Sequence, residues 1–176
     1  HGTAVVSLLY SDKNTRTPGL LPNAKVVVAN PYHVVEGGDE RTDVYDLVRA
    51  IDYLVSQKLD VINLSLEGPD NDLLRDVIED AYQKGVPVVA AVGNASSQTE
   101  IFYPAGYTTV IAVTAVDAKG KVFRRANRGL HIDFSAPGVE LWGAASGSGY
   151  KKYSGTSFAA PFVSAAIGMM RVREGQ

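Results

Sequence analysis

The sequence predicts an α/β three-layer fold, a mainly parallel sheet with helices on both faces. Two observations carry the prediction. Short β-branched and apolar runs at Lys25–Asn30, Val61–Leu66 and Val86–Val92 alternate with longer segments whose apolar residues recur at helical spacing. The resulting strand, helix, strand, helix, strand order calls for right-handed crossovers, which place helices over both faces of a parallel sheet. In such folds ligands gather at the carboxyl ends of the strands. Here those ends are Asn30, Ser65 to Gly68, and Gly93-Asn94.

His1 to Tyr10, with Ala4, Val5, Leu8 and Leu9 apolar, reads as a short buried helix. Ser11 to Asn23 is a polar loop marked by Asp-Lys-Asn and Thr-Pro-Gly. Lys25 to Asn30 is a β-branched run between turn residues and reads as a buried strand. Pro31 to Arg41, with Gly37 and Gly38, is a loop. Thr42 then caps an amphipathic helix carrying Val44, Leu47, Val48, Ile51, Leu54 and Val55 up to about Lys58. After the Val61–Leu66 strand, Asp70 starts a helix through Leu73, Leu74, Val77, Ile78, Ala81 and Tyr82, which Gly85 ends. Val86–Val92 and Thr109–Val116 follow as strands. Shorter ones are expected near His131 to Phe134 and Val139 to Trp142, and a helix from Ser157 to about Arg173 closes the chain.

Composition bounds the function. The chain has 176 residues, 45% hydrophobic and 20% charged, enough for one domain with a sizeable core. Its formal charge of −2 comes without a run of like charges, so nothing points to nucleic acid or an anionic membrane as partner. There are no cysteines, which removes disulfides, thiolate nucleophiles and cysteine-bound metal together. No apolar run approaches the roughly 18 residues needed to cross a bilayer. The chain opens on His1, directly on a helix, and reads as an excised piece of a longer protein.

Chemistry concentrates in Gly155-Thr-Ser-Phe-Ala-Ala-Pro161. Glycines at 143, 147, 149 and 155 precede a small-residue run, placing Ser157 where an irregular loop turns into a helix. Read alone, Ser157 is an ordinary helix cap. A hydroxyl there also suits a nucleophile, because free N–H groups of the first turn can receive negative charge. A serine nucleophile needs a base, and the chain has three histidines. His33 lies in a loop and His131 beside Asp133, where surface or structural roles are the better reading. His1 differs in having the small Gly2 and Thr3 beside it. Asn94, after Gly93 at the end of an apolar strand, is either a turn asparagine or a donor to a developing oxyanion.

Three segments in order, His1-Gly2-Thr3-Ala4-Val5, Val88-Val89-Ala90-Ala91-Val92-Gly93-Asn94 and Gly155-Thr156-Ser157-Phe158-Ala159-Ala160-Pro161, resemble the histidine, oxyanion-asparagine and serine motifs of the subtilisin-like serine proteases. Val61–Leu66, Val110–Val116 and Ser135–Gly138 resemble further blocks of that family, so the resemblance covers nearly the whole chain. It implies Ser157 as nucleophile, His1 as general base and acid, and Asn94 with the Ser157 N–H as oxyanion donors. It also implies that Ser65, Leu66, Glu67 and Gly68, with the Glu36–Asp39 loop around Gly37, hold a polypeptide as an added strand. Ala91, Val92, Gly93 and Asn94, with Phe102 to Ala105, would line the pocket for the residue before the scissile bond. Phe102 and Glu67 stand where glycine is expected in many relatives, and Phe102 is expected to narrow that pocket toward small side chains.

The family's triad has an aspartate on a strand upstream of the histidine, and no residue here follows that motif. The implied enzyme is therefore a serine endopeptidase whose isolated segment is weak or inactive. The missing strand belongs between the Lys25 and Val61 strands, which predicts a gap, a direct pairing of the two, or self-association through the free edges. A secreted or periplasmic home is implied by the resemblance alone. No cofactor and no metal site is expected: Asp12, Asn14 and Thr15 supply oxygens near a place where relatives often bind calcium, but without ordered ligand spacing, and a solvated loop is the better reading. A non-catalytic peptide-binding relative is the second reading. A nucleotide-binding module lacks the phosphate loop it would need after its first strand.

Overall fold

The computed structural model describes residues 1–35, 37 and 40–174. In chain order the elements are α1 (Gly2–Leu9), β1 (His33–Val34), β2 (Glu40–Arg41), α2 (Val44–Ser56), β3 (Ile62–Leu64), α3 (Asp72–Gln83), β4 (Val88–Ala91), β5 (Val110–Val116), β6 (Phe134–Pro137), β7 (Leu141–Ala144), β8 (Tyr150–Tyr153) and α4 (Thr156–Glu174). The main sheet is parallel throughout, in the order β3-β4-β5-β6, with Ile62 opposite Val88, Val88 opposite Val110, and Val113 opposite Phe134.

Alternation along the strands builds the three layers. Val88, Ala90 and Val92 point to one face and pack with Leu47, Ile51 and Val55 of α2 and Leu74, Ile78 and Ala81 of α3. Val89, Val113 and Ala115 point to the other face and meet Ala159 and Ala160 of α4. The small side chains of α4 let its backbone approach the sheet closely, which sets where its first turn ends up. Both outer helices are capped one residue later than the sequence reading places them. Asp43 rather than Thr42 accepts from the Asp46 N–H, at 2.8 Å, and Asn71 rather than Asp70 accepts from Leu73 and Leu74. Gly85, at φ +72°, ends α3 as expected.

The expected strand at Lys25 to Asn30 does not form: the segment is irregular, and Val26 and Val28 are 37% and 62% exposed. A strand needs a neighbour to take its main-chain groups, and among the described residues this run has none. It stands off from β3, the edge strand, across a cavity of about 1780 Å³ lined by residues 20–32 on one side and 57–67 on the other. Within the single chain a gap stands at this place, and the Lys25–Asn30 segment does not pair directly with β3. The β-ladder near 131–134 starts at Phe134, and that near 139–142 at Leu141. The Gly-rich loop before Ser157 contains β8, which pairs antiparallel with β7, an element absent from the sequence reading.

Candidate active site

Ser157 is the second residue of α4, immediately after a backbone turn that only glycine adopts easily: Gly155 has φ +153°. The Gly155 N–H donates to the Gly138 carbonyl at 2.8 Å, so the turn is anchored to the end of β6. Among the described residues the Ser157 N–H donates to no acceptor, which leaves it free at the helix N-terminus.

The Ser157 carbonyl has a different problem. An α-helix would return it a hydrogen bond from residue 161, but residue 161 is proline and has no N–H. Ser65, just past β3, supplies the bond instead, its Oγ donating to the Ser157 carbonyl at 2.7 Å. Ser65 in turn accepts from Asn63 Nδ2 at 2.9 Å, and Asn63 Oδ1 accepts from Ser164 Oγ at 3.0 Å. A chain of three polar side chains thus fixes the first turn of α4 from the sheet edge. The signal for it is legible in hindsight: Asn63 and Ser164 interrupt apolar runs, Val-Ile-Asn-Leu and Val-Ser-Ala-Ala.

Asn94 is tied to the same turn. The Thr156 N–H donates to Asn94 Oδ1 at 3.0 Å, and the Gly93 N–H donates to Thr156 Oγ1 at 3.2 Å, with Thr156 fully buried. With its oxygen occupied, the Asn94 amide leaves both Nδ2 hydrogens for something else. Gly93 has φ +98°, and a Cβ there would collide with the Glu67 carboxylate and Asn127 Nδ2. Asn127, 1% exposed, clamps the turn from beneath: Oδ1 accepts from the Ala95 and Ser97 N–H groups, both at 3.0 Å, and Nδ2 donates to the Val92 carbonyl at 2.9 Å. No sequence signal marks Asn127, which lies in a polar stretch without periodicity.

His1 is exposed at the start of α1 and stacks at a tilt on Phe158, ring centroids 5.3 Å apart. Ala4 and Val5 pack on Phe158 as well, and the Tyr153 ring of β8 lies 5.0 Å from it. Ser7 Oγ accepts from the Ala144 N–H at 3.0 Å, fastening α1 to the β7–β8 hairpin. Among the described residues no carboxylate bonds to the His1 imidazole.

The expected site residues are thus partly gathered. His1, Asn94, Ser157, Ser65, Leu66, Glu67, Ala91 and Gly93 line one cavity. Gly68 stands beside it, in an isolated antiparallel bridge with Tyr103, each N–H donating to the other carbonyl at 2.9 Å. Val92 is fully buried and its side chain joins the α2/α3 core, because strand alternation turns it away from the site; only its main chain faces the Gly93 turn. Phe102 is half-buried and does not line the cavity with Ser157. Gly37 lies in the turn between β1 and β2, outside that cavity, and Glu36, Gly38 and Asp39 fall outside the described residues. His33 is exposed on β1. His131 has both ring nitrogens buried and, among the described residues, without partners; burial pushes its imidazole below the usual range, with Asp133 opposing. Asp12 Oδ1 accepts from the Asn14 N–H at 2.7 Å, and Thr15 Oγ1 donates to the Asp12 carbonyl at 2.8 Å, so these oxygens close a local turn.

A hydroxyl at a helix N-terminus, an imidazole on a packed helix and two free N–H donors are the parts a serine hydrolase uses. The sequence comparisons name the class. The subtilase family, Peptidase_S8, matches residues 1–175, and the chain belongs to it. It is 34% identical to the major intracellular serine protease of Bacillus subtilis strain 168, over 99% of this chain and 56% of that protein. To subtilisin DY of Bacillus licheniformis it is 33% identical, over 97% of the chain and 62% of the relative. Among solved structures, that of the patellamide maturation protease PatA covers 100% of this chain and 67% of its own at 30% identity, TM-score 0.87. A cold-adapted subtilisin-like proteinase shares the fold at TM-score 0.86 and 24% identity. The chain thus spans about half to two thirds of these proteins. Relatives' names include an intracellular and an extracellular protease, so the family spans both compartments. No helix among the described residues is long and apolar enough to cross a membrane.

Proposed function

We propose that this chain is part of a subtilisin-like peptidase domain and supplies the nucleophile, the general base and the oxyanion donors of a serine endopeptidase. Ser157 Oγ attacks a peptide carbonyl while His1 takes its proton; the carbonyl oxygen, now negative, receives hydrogen bonds from Asn94 Nδ2 and the Ser157 N–H. The tetrahedral species collapses as His1 returns the proton to the leaving amine, leaving an acyl group on Ser157 that water then removes with His1 again as base. The observation that carries this reading is the Thr156 N–H on Asn94 Oδ1: it turns the amide so that only donors face outward, and it ties that amide to the nucleophile's own turn. The substrate lies along Leu66 and Glu67, whose main-chain groups enter no hydrogen bond among the described residues and so can pair with an extended peptide.

A carboxylate for His1 would come from a strand seated in the cavity beside β3, the place the family's aspartate strand takes in the resemblance. Without that strand the imidazole has no partner for its cation, and turnover falls on the order of 10^4, a figure taken from a subtilisin itself. The same free edge of β3 is the surface through which the isolated segment would self-associate.

Fluorophosphonate labelling of the full-length protein tests the reading. The expected result is one adduct on Ser157, lost in Ser157→Ala. No adduct, with the protein folded, would favour the second reading, a peptide-binding relative without catalysis.

A further inference from the structure

The loop that carries substrate in the proposed function holds a charge that its chemistry does not use. Glu67 Oε2 accepts from the Asn94 main-chain N–H at 3.0 Å and packs against the Cα of Gly93, where a Cβ would collide with it. Its side chain therefore crosses from the Ser65–Gly68 segment to the Gly93–Asn94 turn, the two walls between which the acyl residue of a substrate must sit if its carbonyl oxygen reaches Asn94. Glu67 is exposed and one carboxylate oxygen remains free of hydrogen bonds among the described residues. The cavity's other aspartate or glutamate, Asp60, precedes β3 and so lies at the opposite end of that strand from Ser65.

We propose that Glu67 selects substrates with lysine or arginine immediately before the scissile bond. The inference rests on the protease reading and adds the substrate class to it. The physical case has two parts. A cationic side chain entering between the two walls meets the free oxygen of a carboxylate already fixed by a main-chain N–H, so little ordering remains to be done. A bare carboxylate beside a developing oxyanion also opposes the reaction, and a cation placed against it cancels that opposition. An acidic side chain meets repulsion from Glu67 in the same space. Selection here is by charge, carried by a residue that lines the cavity, rather than by the size of Phe102, which does not.

Binding separates this inference from catalysis. In the full-length protein carrying Ser157→Ala, N-terminally labelled Ala-Ala-Ala-X carboxamides with X as Lys, Arg, Ala or Glu are titrated by fluorescence anisotropy. The expected order is Lys and Arg, then Ala, then Glu, with about tenfold between Lys and Glu because attraction and repulsion add. Glu67→Gln, which keeps an oxygen for the Asn94 N–H, brings the peptides together. Equal affinities for all four, or a preference that persists in Glu67→Gln, would overturn the charge selection while leaving the groove and the protease reading intact. Binding of none of the peptides removes the groove itself, and the selection with it.

Discussion

The bond between Ser65 and the Ser157 carbonyl shows how one residue's chemistry sets another's. Pro161 removes the donor that a helix would provide, and Ser65 replaces it. Ser65→Ala strands a partly buried carbonyl and is expected to destabilise the fold by about 1–2 kcal/mol. Adding Pro161→Ala restores a helical N–H to that carbonyl, so the double variant should recover much of the loss. A double-mutant cycle by chemical denaturation reads this directly, and simple additivity would contradict the relay. Asn127→Ala removes one acceptor shared by two N–H groups and one donor, and is expected to cost about 2–4 kcal/mol in the same measurement. His131 gives a pH dependence. Its pKa is depressed in the folded protein, so the unfolded chain binds the proton first as pH falls through about 6.5, and stability declines below that point. His131→Leu should flatten the acid side of the thermal-midpoint profile below pH 6.5; an unchanged slope would mean the ring is solvated after all.

At the scale of elements, what the sequence displayed was periodicity, and what it hid was pairing. The helices α2, α3 and α4 and strands β3, β4 and β5 stand where their spacing puts them, because each has an apolar face whose period marks it. Lys25 to Asn30 has the composition of a strand and, among the described residues, no neighbour to pair with, so composition alone is misleading here. β8, Tyr-Lys-Lys-Tyr, has no apolar alternation at all and exists because β7 lies opposite. His1, Asn94 and Ser157, which line one cavity, stand out in the sequence because they sit in recognisable segments. Asn63, Ser164 and Asn127, which hold the site in shape, were not, since a supporting hydrogen bond leaves no pattern in the residues around it. One cap is a test at this scale: Asp43→Ala removes the acceptor for the Asp46 N–H and is expected to cost about 1 kcal/mol, whereas Thr42→Ala should be nearly silent.

At the scale of the molecule, two packed layers converge on one spot. α4 brings Ser157 from the sheet face, the β4 turn brings Asn94 from the sheet end, and α1 with the β7–β8 hairpin brings His1 from the side. The open strand position beside β3 is the feature left unbalanced, an apolar-walled gap next to the site. The central claim is that these three contributions make a covalent catalyst of Ser157. Its most direct test is to quench the full-length protein during hydrolysis of a peptide ester and locate the acyl group by mass spectrometry. The account predicts one acyl adduct, on Ser157, that fails to accumulate in Asn94→Ala and is absent in Ser157→Ala. Turnover of the ester with Ser157 unmodified, or an adduct on any other residue, would contradict it.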